Sequence, residues 1–165
     1  APYLIKAKDA QDERCAAMAE DFKDTDYHMV IGSGMLWGEA YDYAMCILEE
    51  MQWKRTRYIT SADFFHGTLE LVEPGVPVFL FMGEDENRKL DERVRAFLTR
   101  GVTGDTDINI IDTAEFAIPG LDDEFRVIVS PWILTVLVTD RLARYYETVT
   151  KHNLKYRRYY HQFDY

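Results

Sequence analysis

Glu50 and His66 stand sixteen residues apart, and no other pair in this chain is better suited to chemistry. Carboxylates and imidazoles are the side chains most often used to move protons near neutral pH, provided the fold brings them, or copies of them from two chains, to one substrate. Glu50 falls near the end of a strongly patterned stretch, Gly38 to Trp53. His66 lies within Ser61-Ala62-Asp63-Phe64-Phe65-His66-Gly67-Thr68-Leu69-Glu70.

The element that positions Glu50 reads as a helix, because Trp37, Tyr41, Ala44, Met45, Leu48 and Met51 recur on one stripe and predict its core face. Glu50 is then expected to point away from the core, toward Tyr43, Cys46 and Ile47 on the preceding turns and Trp53 beyond. An apolar outer face predicts a second domain or subunit covering it, with Glu50 at the seam. Partial desolvation there suits a carboxylate for acid/base work. The alternative is a helix-end glutamate in an ordinary interface. Glu49 lies nearer the core-facing side and lacks the same surround. His66, between Phe65 and Gly67, reads equally as a hydrogen-bonded residue at an element boundary.

Other chemistries fit less well. His28, His66, His152 and His161 show no ligand spacing with one another or with Cys15 and Cys46, so no metal site is expected. Gly32-Ser33-Gly34 follows a strand and opens a helix, but bulky Met35, Leu36 and Trp37 crowd the turn before Gly38, which departs from a dinucleotide fingerprint. The turn does not fit a hydrolase nucleophile elbow either. Ser33 remains a candidate to bind a ligand oxygen, through its hydroxyl or the helix amides.

The rest of the chain supplies a scaffold. Its 165 residues, 47% hydrophobic and 14% aromatic, make one ordinary domain with enough core material. The formal charge of -10 argues against a general nucleic-acid binder. A disulfide between the two cysteines is compatible with the sequence, but the chain needs no staple and reads as reduced and cytoplasmic. The apolar run Val127 to Val138 is interrupted by Ser130, Pro131 and Thr135 and is too short to span a bilayer. Because the chain opens at Ala1-Pro2, processing or excision from a longer polypeptide is expected.

Helical and strand-like periods alternate, which predicts an α/β layer fold with a mostly parallel sheet. Helices are expected over Asp9 to Lys23, Gly38 to Trp53, Phe64 to Val72, Asn87 to Arg100 and Pro131 to Lys151. Strands are expected over Tyr27 to Ile31, Arg57 to Thr60, Val76 to Met82 and Ile108 to Asp112. Residues 1–152 form the domain, and 153–165 a tail in which Lys155, Arg157, Arg158 and His161 interleave with Tyr156, Tyr159, Tyr160 and Phe163. Such a tail packs into a seam or folds over a site.

These residues resemble a known family. Gly32-x-Gly34, a helix ending in Glu50-Met51, Ala62-x-x-Phe65-His66-Gly67-Thr68-Leu69-Glu70, a Pro-Val-Phe-Leu-Phe strand, Asp85-Glu86-Asn87-Arg88 and the ending Arg157-Arg158-Tyr159-Tyr160 are similar to the C-terminal sugar isomerase (SIS) domain of double-domain phosphosugar enzymes. Leu48-Glu49-Glu50-Met51-Gln52-Trp53 and Phe64 to Leu71 most resemble the bacterial deglycases of phosphorylated sugar-lysine adducts, those acting on glucoselysine 6-phosphate first and on fructoselysine 6-phosphate second. Thr68 stands where aminating isomerases have proline, and their tail lysine is missing. An isomerase or aminotransferring isomerase and a non-catalytic phosphosugar-sensing SIS domain are the competing readings.

The resemblance implies a three-layer αβα sandwich around a five-stranded parallel sheet, an N-terminal SIS domain on the same chain that holds the phosphate, and a homodimer with shared active sites. It assigns Glu50 and His66 to proton transfer, Glu50 shuttling the carbon-bound proton and His66 assisting ring opening or a departing group, or the reverse. Ser33 and, from the tail, Arg157 and Tyr159 are the candidate substrate contacts. It requires no metal or organic cofactor.

Overall fold

The computed structural model describes residues 2–104, 107–116 and 118–164. Four parallel strands, β1 (Tyr27–Gly32), β2 (Arg55–Ile59), β3 (Val78–Met82) and β4 (Ile108–Asp112), lie in the order β2-β1-β3-β4. Tyr27 pairs with Arg55, Met29 with Val78 and Val78 with Ile108, so the strands begin along a common edge. β3 is buried at every position, as expected of a central strand covered on both faces.

Its alternating side chains divide the core in two. Phe79 and Phe81, with Val30 and Ile111, face a layer built from α1 (Pro2–Ala10), α2 (Asp12–Phe22), α3 (Trp37–Tyr41), α5 (Asp123–Leu134) and α6 (Ala143–Thr150). Val78, Leu80 and Met82, with Met29 and Ile31, face α4 (Arg88–Leu98) and the short 3-10 turns Phe64–His66 and Thr68–Leu71. The three layers agree with expectation, but the sheet has four strands among the described residues rather than five. After β4 the chain enters a 3-10 turn, Thr113–Glu115, and then α5, whose apolar residues carry helical spacing.

Three further elements differ from their sequence reading. The expected helix over Phe64 to Val72 is two 3-10 turns, separated at Gly67, whose φ of 137° no helix accommodates. The long final helix begins at Asp123, with Pro131 inside it. It continues through a π-wound stretch, Thr135–Leu142, into α6 and stops at Lys151 in the left-handed conformation. The helix carrying Glu50 is also π-wound, from Asp42 to Met51. This wider winding buries Tyr43, Ala44, Ile47 and Leu48. Tyr43 and Ile47 are therefore core residues, not an outer patch.

Buried polar groups fasten the helical layer. The Lys54 ammonium donates to the carbonyls of Lys23 at 2.9 Å and Thr25 at 2.7 Å, closing the end of α2. His28 Nε2 and the Tyr146 hydroxyl share a buried hydrogen bond of 2.9 Å. Burial, with Lys54 nearby, pushes the His28 imidazole down to about 3. Cys15 and Cys46 are both free. Among the described residues no helix is long and apolar enough to cross a membrane.

Candidate active site

The backbone holds Glu50 at the end of the π-wound stretch through an unusual closure. Trp53 adopts a left-handed φ of 58°, and the amides of Trp53 and Lys54 return to the carbonyls of Glu49 at 3.2 Å and Leu48 at 2.9 Å. Glycine is the ordinary residue for such a closure. A tryptophan there costs on the order of 1–3 kcal/mol, and such strain clusters at ligand sites. The indole is gripped by His152, ring centroids 4.4 Å apart, and by the Arg158 guanidinium 4.3 Å above its face.

Glu50 opens onto a cleft of about 280 Å³ between the π-wound stretch and the tail, lined by Glu49, Trp53, Arg157, Arg158, Tyr159 and Tyr160 among others. Arg157 crosses it: Nη2 lies 2.9 Å from Glu50 Oε1, while Nη1 donates to the carbonyls of Leu154 at 2.7 Å and Tyr156 at 2.8 Å. Glu50 thus meets a tail cation instead of the apolar surround read from helical spacing. Arg157, expected to touch substrate, holds a carboxylate. Tyr159 lines the cleft and is exposed. Glu49 accepts from the Thr56 hydroxyl.

His66 occupies a different cleft, of about 400 Å³, with Arg57, Asp63, Gly67, Thr68 and Leu71. Its imidazole, at the end of the first 3-10 turn, is exposed and has no hydrogen-bond partner among the described residues. Thr68 is buried beside it, its hydroxyl receiving Arg57 Nε and Nη2 at 3.3 Å. The two clefts lie at opposite edges of the sheet, since Glu50 precedes the start of β2 and His66 follows its end. Five residues of β2 at about 3.3 Å each put roughly 16 Å between those edges. One copy of the domain does not bring Glu50 and His66 to a common atom.

The carboxyl edge, where open α/β sheets ordinarily take ligands, is filled by the chain itself. Asp85 Oδ2 accepts from the Met35 amide at 2.7 Å and Oδ1 from the Asn87 amide at 2.8 Å, occupying the donors an anion would take. Gly34, at φ 54°, lies so close to Asp85 that a β-carbon would collide with the carboxylate. Ser33 is buried, and its hydroxyl accepts from the Ser61 amide at 2.8 Å, so it is not presented to a ligand. The Ser61 hydroxyl in turn donates to Asp91 at 2.6 Å, and burial pushes the Asp91 carboxyl up to about 6. The neighbouring depression carries Glu84, Asp85, Glu86, Asp123 and Glu124, a surface that repels phosphate. The sequence reading missed Asp85 as the plug, although it stands in the quoted Asp85-Glu86-Asn87-Arg88 run. Among the described residues no group of three or more His, Cys, Asp or Glu is placed to hold a metal.

Comparison with known proteins gives this geometry a context. No family model matches the chain. It is 30% identical over 155 residues to the fructosamine deglycase FrlB of Bacillus subtilis, covering 92% of this chain and 44% of that protein. It is 32% identical over 133 residues to the fructoselysine 6-phosphate deglycase of Escherichia coli K12, covering 79% of this chain and 36% of the relative. Two solved chains superpose over 99% of this one and 49% of theirs. They are provisionally assigned phosphosugar isomerases from Bacillus subtilis (TM-score 0.89, 28% identity) and Salmonella typhimurium LT2 (TM-score 0.90, 29% identity). The chain spans less than half the length of these relatives. It is a homologue of the fructosamine and fructoselysine 6-phosphate deglycases, and its fold is that of the phosphosugar isomerase (SIS) domains.

Proposed function

We propose that this domain is the C-terminal half of a deglycase that releases lysine from a phosphorylated sugar-lysine adduct, with Glu50 and His66 as its acid/base residues. The observation that carries the reading is the placement of Glu50 on a cleft walled by aromatic and cationic side chains, in a chain similar along 92% of its length to a fructosamine deglycase. The exposed imidazole of His66, without a hydrogen-bond partner among the described residues and at the opposite sheet edge, supports a composite site. Each Glu50 would meet a His66 from a second copy in a homodimer. An N-terminal domain of the same fold would supply the phosphate grip that the Asp85 plug denies here.

The chemistry requires one carbon-bound proton to move between C1 and C2. In fructoselysine 6-phosphate the nitrogen is on C1 beside the C2 carbonyl. Removing a C1 proton gives an enaminol, and protonation at C2 gives a C1 imine that water hydrolyses to lysine and glucose 6-phosphate. In glucoselysine 6-phosphate the nitrogen is on C2, and the same shuttle run from C2 to C1 gives a C2 imine and then fructose 6-phosphate. One carboxylate above both carbons serves either direction. Glu50 takes that role, and His66 handles the oxygen protons of ring opening and enolisation. The relatives' names support the fructoselysine adduct; the run Leu48 to Trp53 favours the glucoselysine adduct as the second reading. Incubating the full-length enzyme with each adduct and with glucosamine 6-phosphate, and measuring released lysine and the hexose phosphate formed, decides among them. Turnover of glucosamine 6-phosphate alone sinks the deglycase assignment.

A further inference from the structure

We infer that the cleft beside Glu50 contains a subsite for the free amino-acid end of the adduct, with Arg158 receiving its α-carboxylate, Glu49 its α-ammonium, and Trp53 its methylene chain. This rests on the deglycase reading and goes beyond it, to the half of the substrate that a sugar isomerase never meets.

Charge accounting isolates these residues. Of the cations lining the cleft, Arg157 is committed to Glu50 and two carbonyls, and Lys54 to the carbonyls ending α2. Arg158 alone remains, with no carboxylate partner among the described residues and its guanidinium laid on Trp53. Stacking leaves the guanidinium's in-plane donors open, the arrangement that favours bidentate binding of a carboxylate. Of the anions, Glu50 is paired, whereas Glu49 uses one oxygen on Thr56. The cleft therefore offers one uncommitted cation and one partly committed anion beside the proposed catalytic carboxylate. A zwitterionic head group needs that combination, and an uncharged sugar terminus has no use for it.

The backbone supports the same assignment. Trp53 holds a left-handed backbone while its indole shares the cleft lining with Glu49 and Arg158, and Tyr159 and Tyr160 continue the aromatic wall. Four methylenes separate the lysine nitrogen from its α-carbon, so a flat apolar wall next to the site of bond cleavage is what that stem would lie against.

The test uses the full-length enzyme and three phosphorylated adducts: lysine, lysine amide and Nα-acetyl-lysine. Wild-type enzyme is expected to favour the free amino acid over either derivative by about 10- to 100-fold in kcat/KM, expressed mainly in KM, the range of a charge-assisted hydrogen bond. Arg158→Ala should lower kcat/KM on the lysine adduct to the level of the amide, with Arg158→Lys intermediate. Glu49→Gln should erase discrimination against the acetylated adduct. Lysine release without any preference, or a preference for the free carboxylate that survives Arg158→Ala, overturns the subsite while leaving the deglycase reading intact. Absence of lysine release from every adduct by the wild type overturns both.

Discussion

Arg157 reaches out of the C-terminal tail to within 2.9 Å of Glu50, and both of its Nη atoms are occupied, one by that carboxylate and the other by the carbonyls of Leu154 and Tyr156. The carbonyls bend the tail around the guanidinium, so the turn after α6 and the orientation of Glu50 are one structural unit. The Glu50 side chain is partly exposed, and an isolated pair of this kind contributes little stability. Its consequence is positional.

Replacing Arg157 by Met, which keeps most of the stem but no donors, should therefore act on catalysis more than on folding. In the full-length enzyme kcat is expected to fall about 10-fold or more, with a smaller change in KM and a melting temperature close to wild type, because a misoriented catalytic group loses rate before it loses binding. Arg157→Lys should recover part of the loss. A change confined to KM would return Arg157 to the substrate-contact role read from the sequence.

Glu50→Gln and His66→Ala should each lower lysine release by about 10²- to 10⁴-fold, the usual contribution of a positioned acid or base. Circular dichroism should be unchanged, as should the mass of the proposed dimer, since neither side chain fills the core. The two sites also make a stronger prediction. Because one copy places them at opposite sheet edges, the proposed shared-site dimer predicts that mixing the two inactive variants restores activity in heterodimers that pair an intact Glu50 with an intact His66. Mixed dimers with no recovered turnover would place both residues in one subunit's site.

How much of this was legible in sequence depends on the range of the interaction. Val76 to Met82 announced a buried strand because its burial follows from composition alone, and the four strands were located to within a few residues. The fifth came from resemblance, and no described segment supplies it. Tyr43 and Ile47 were placed outside because a 3.6-residue period was laid on a stretch that winds more widely. Local spacing cannot report that. Glu50 and His66 were recognisable as chemical types at a suggestive interval. The partnership of Glu50 with Arg157 and of Met35 with Asp85 joins residues distant in sequence, and only the fold reveals that two of the expected ligand groups, Arg157 and Ser33, are already engaged within the chain.

The Asp85 plug makes Gly34 irreplaceable. Gly34→Ala is expected to destabilise the protein by roughly 2–4 kcal/mol, combining left-handed strain with collision against the Asp85 carboxylate. Asp85→Ala removes the collision. If the two costs are coupled through this contact, the double variant should be less destabilised than the sum of the singles in urea titrations. Simple additivity would show that strain alone sets the cost.

Two buried groups should give stability opposite slopes in pH. His28 is held down to about 3 by burial and by Lys54, while an unfolded histidine takes its proton near 6.5. Unfolding therefore takes up a proton in this window, and the stability associated with neutral His28 is complete above about 6.5 and lost as pH falls toward 3. Asp91 runs the other way: its carboxyl, raised to about 6 by burial, releases its proton on unfolding. The native state is then favoured by protonated Asp91 below about 4 and loses that advantage as pH rises to about 6. His28→Gln, which can still bond the Tyr146 hydroxyl, should flatten the acid limb of a melting-temperature profile between pH 6.5 and 4. Asp91→Asn should gain on the wild type as pH rises from 4 to 6. If both variants track the wild-type profile in parallel across this range, neither group titrates on unfolding and the two slopes originate elsewhere.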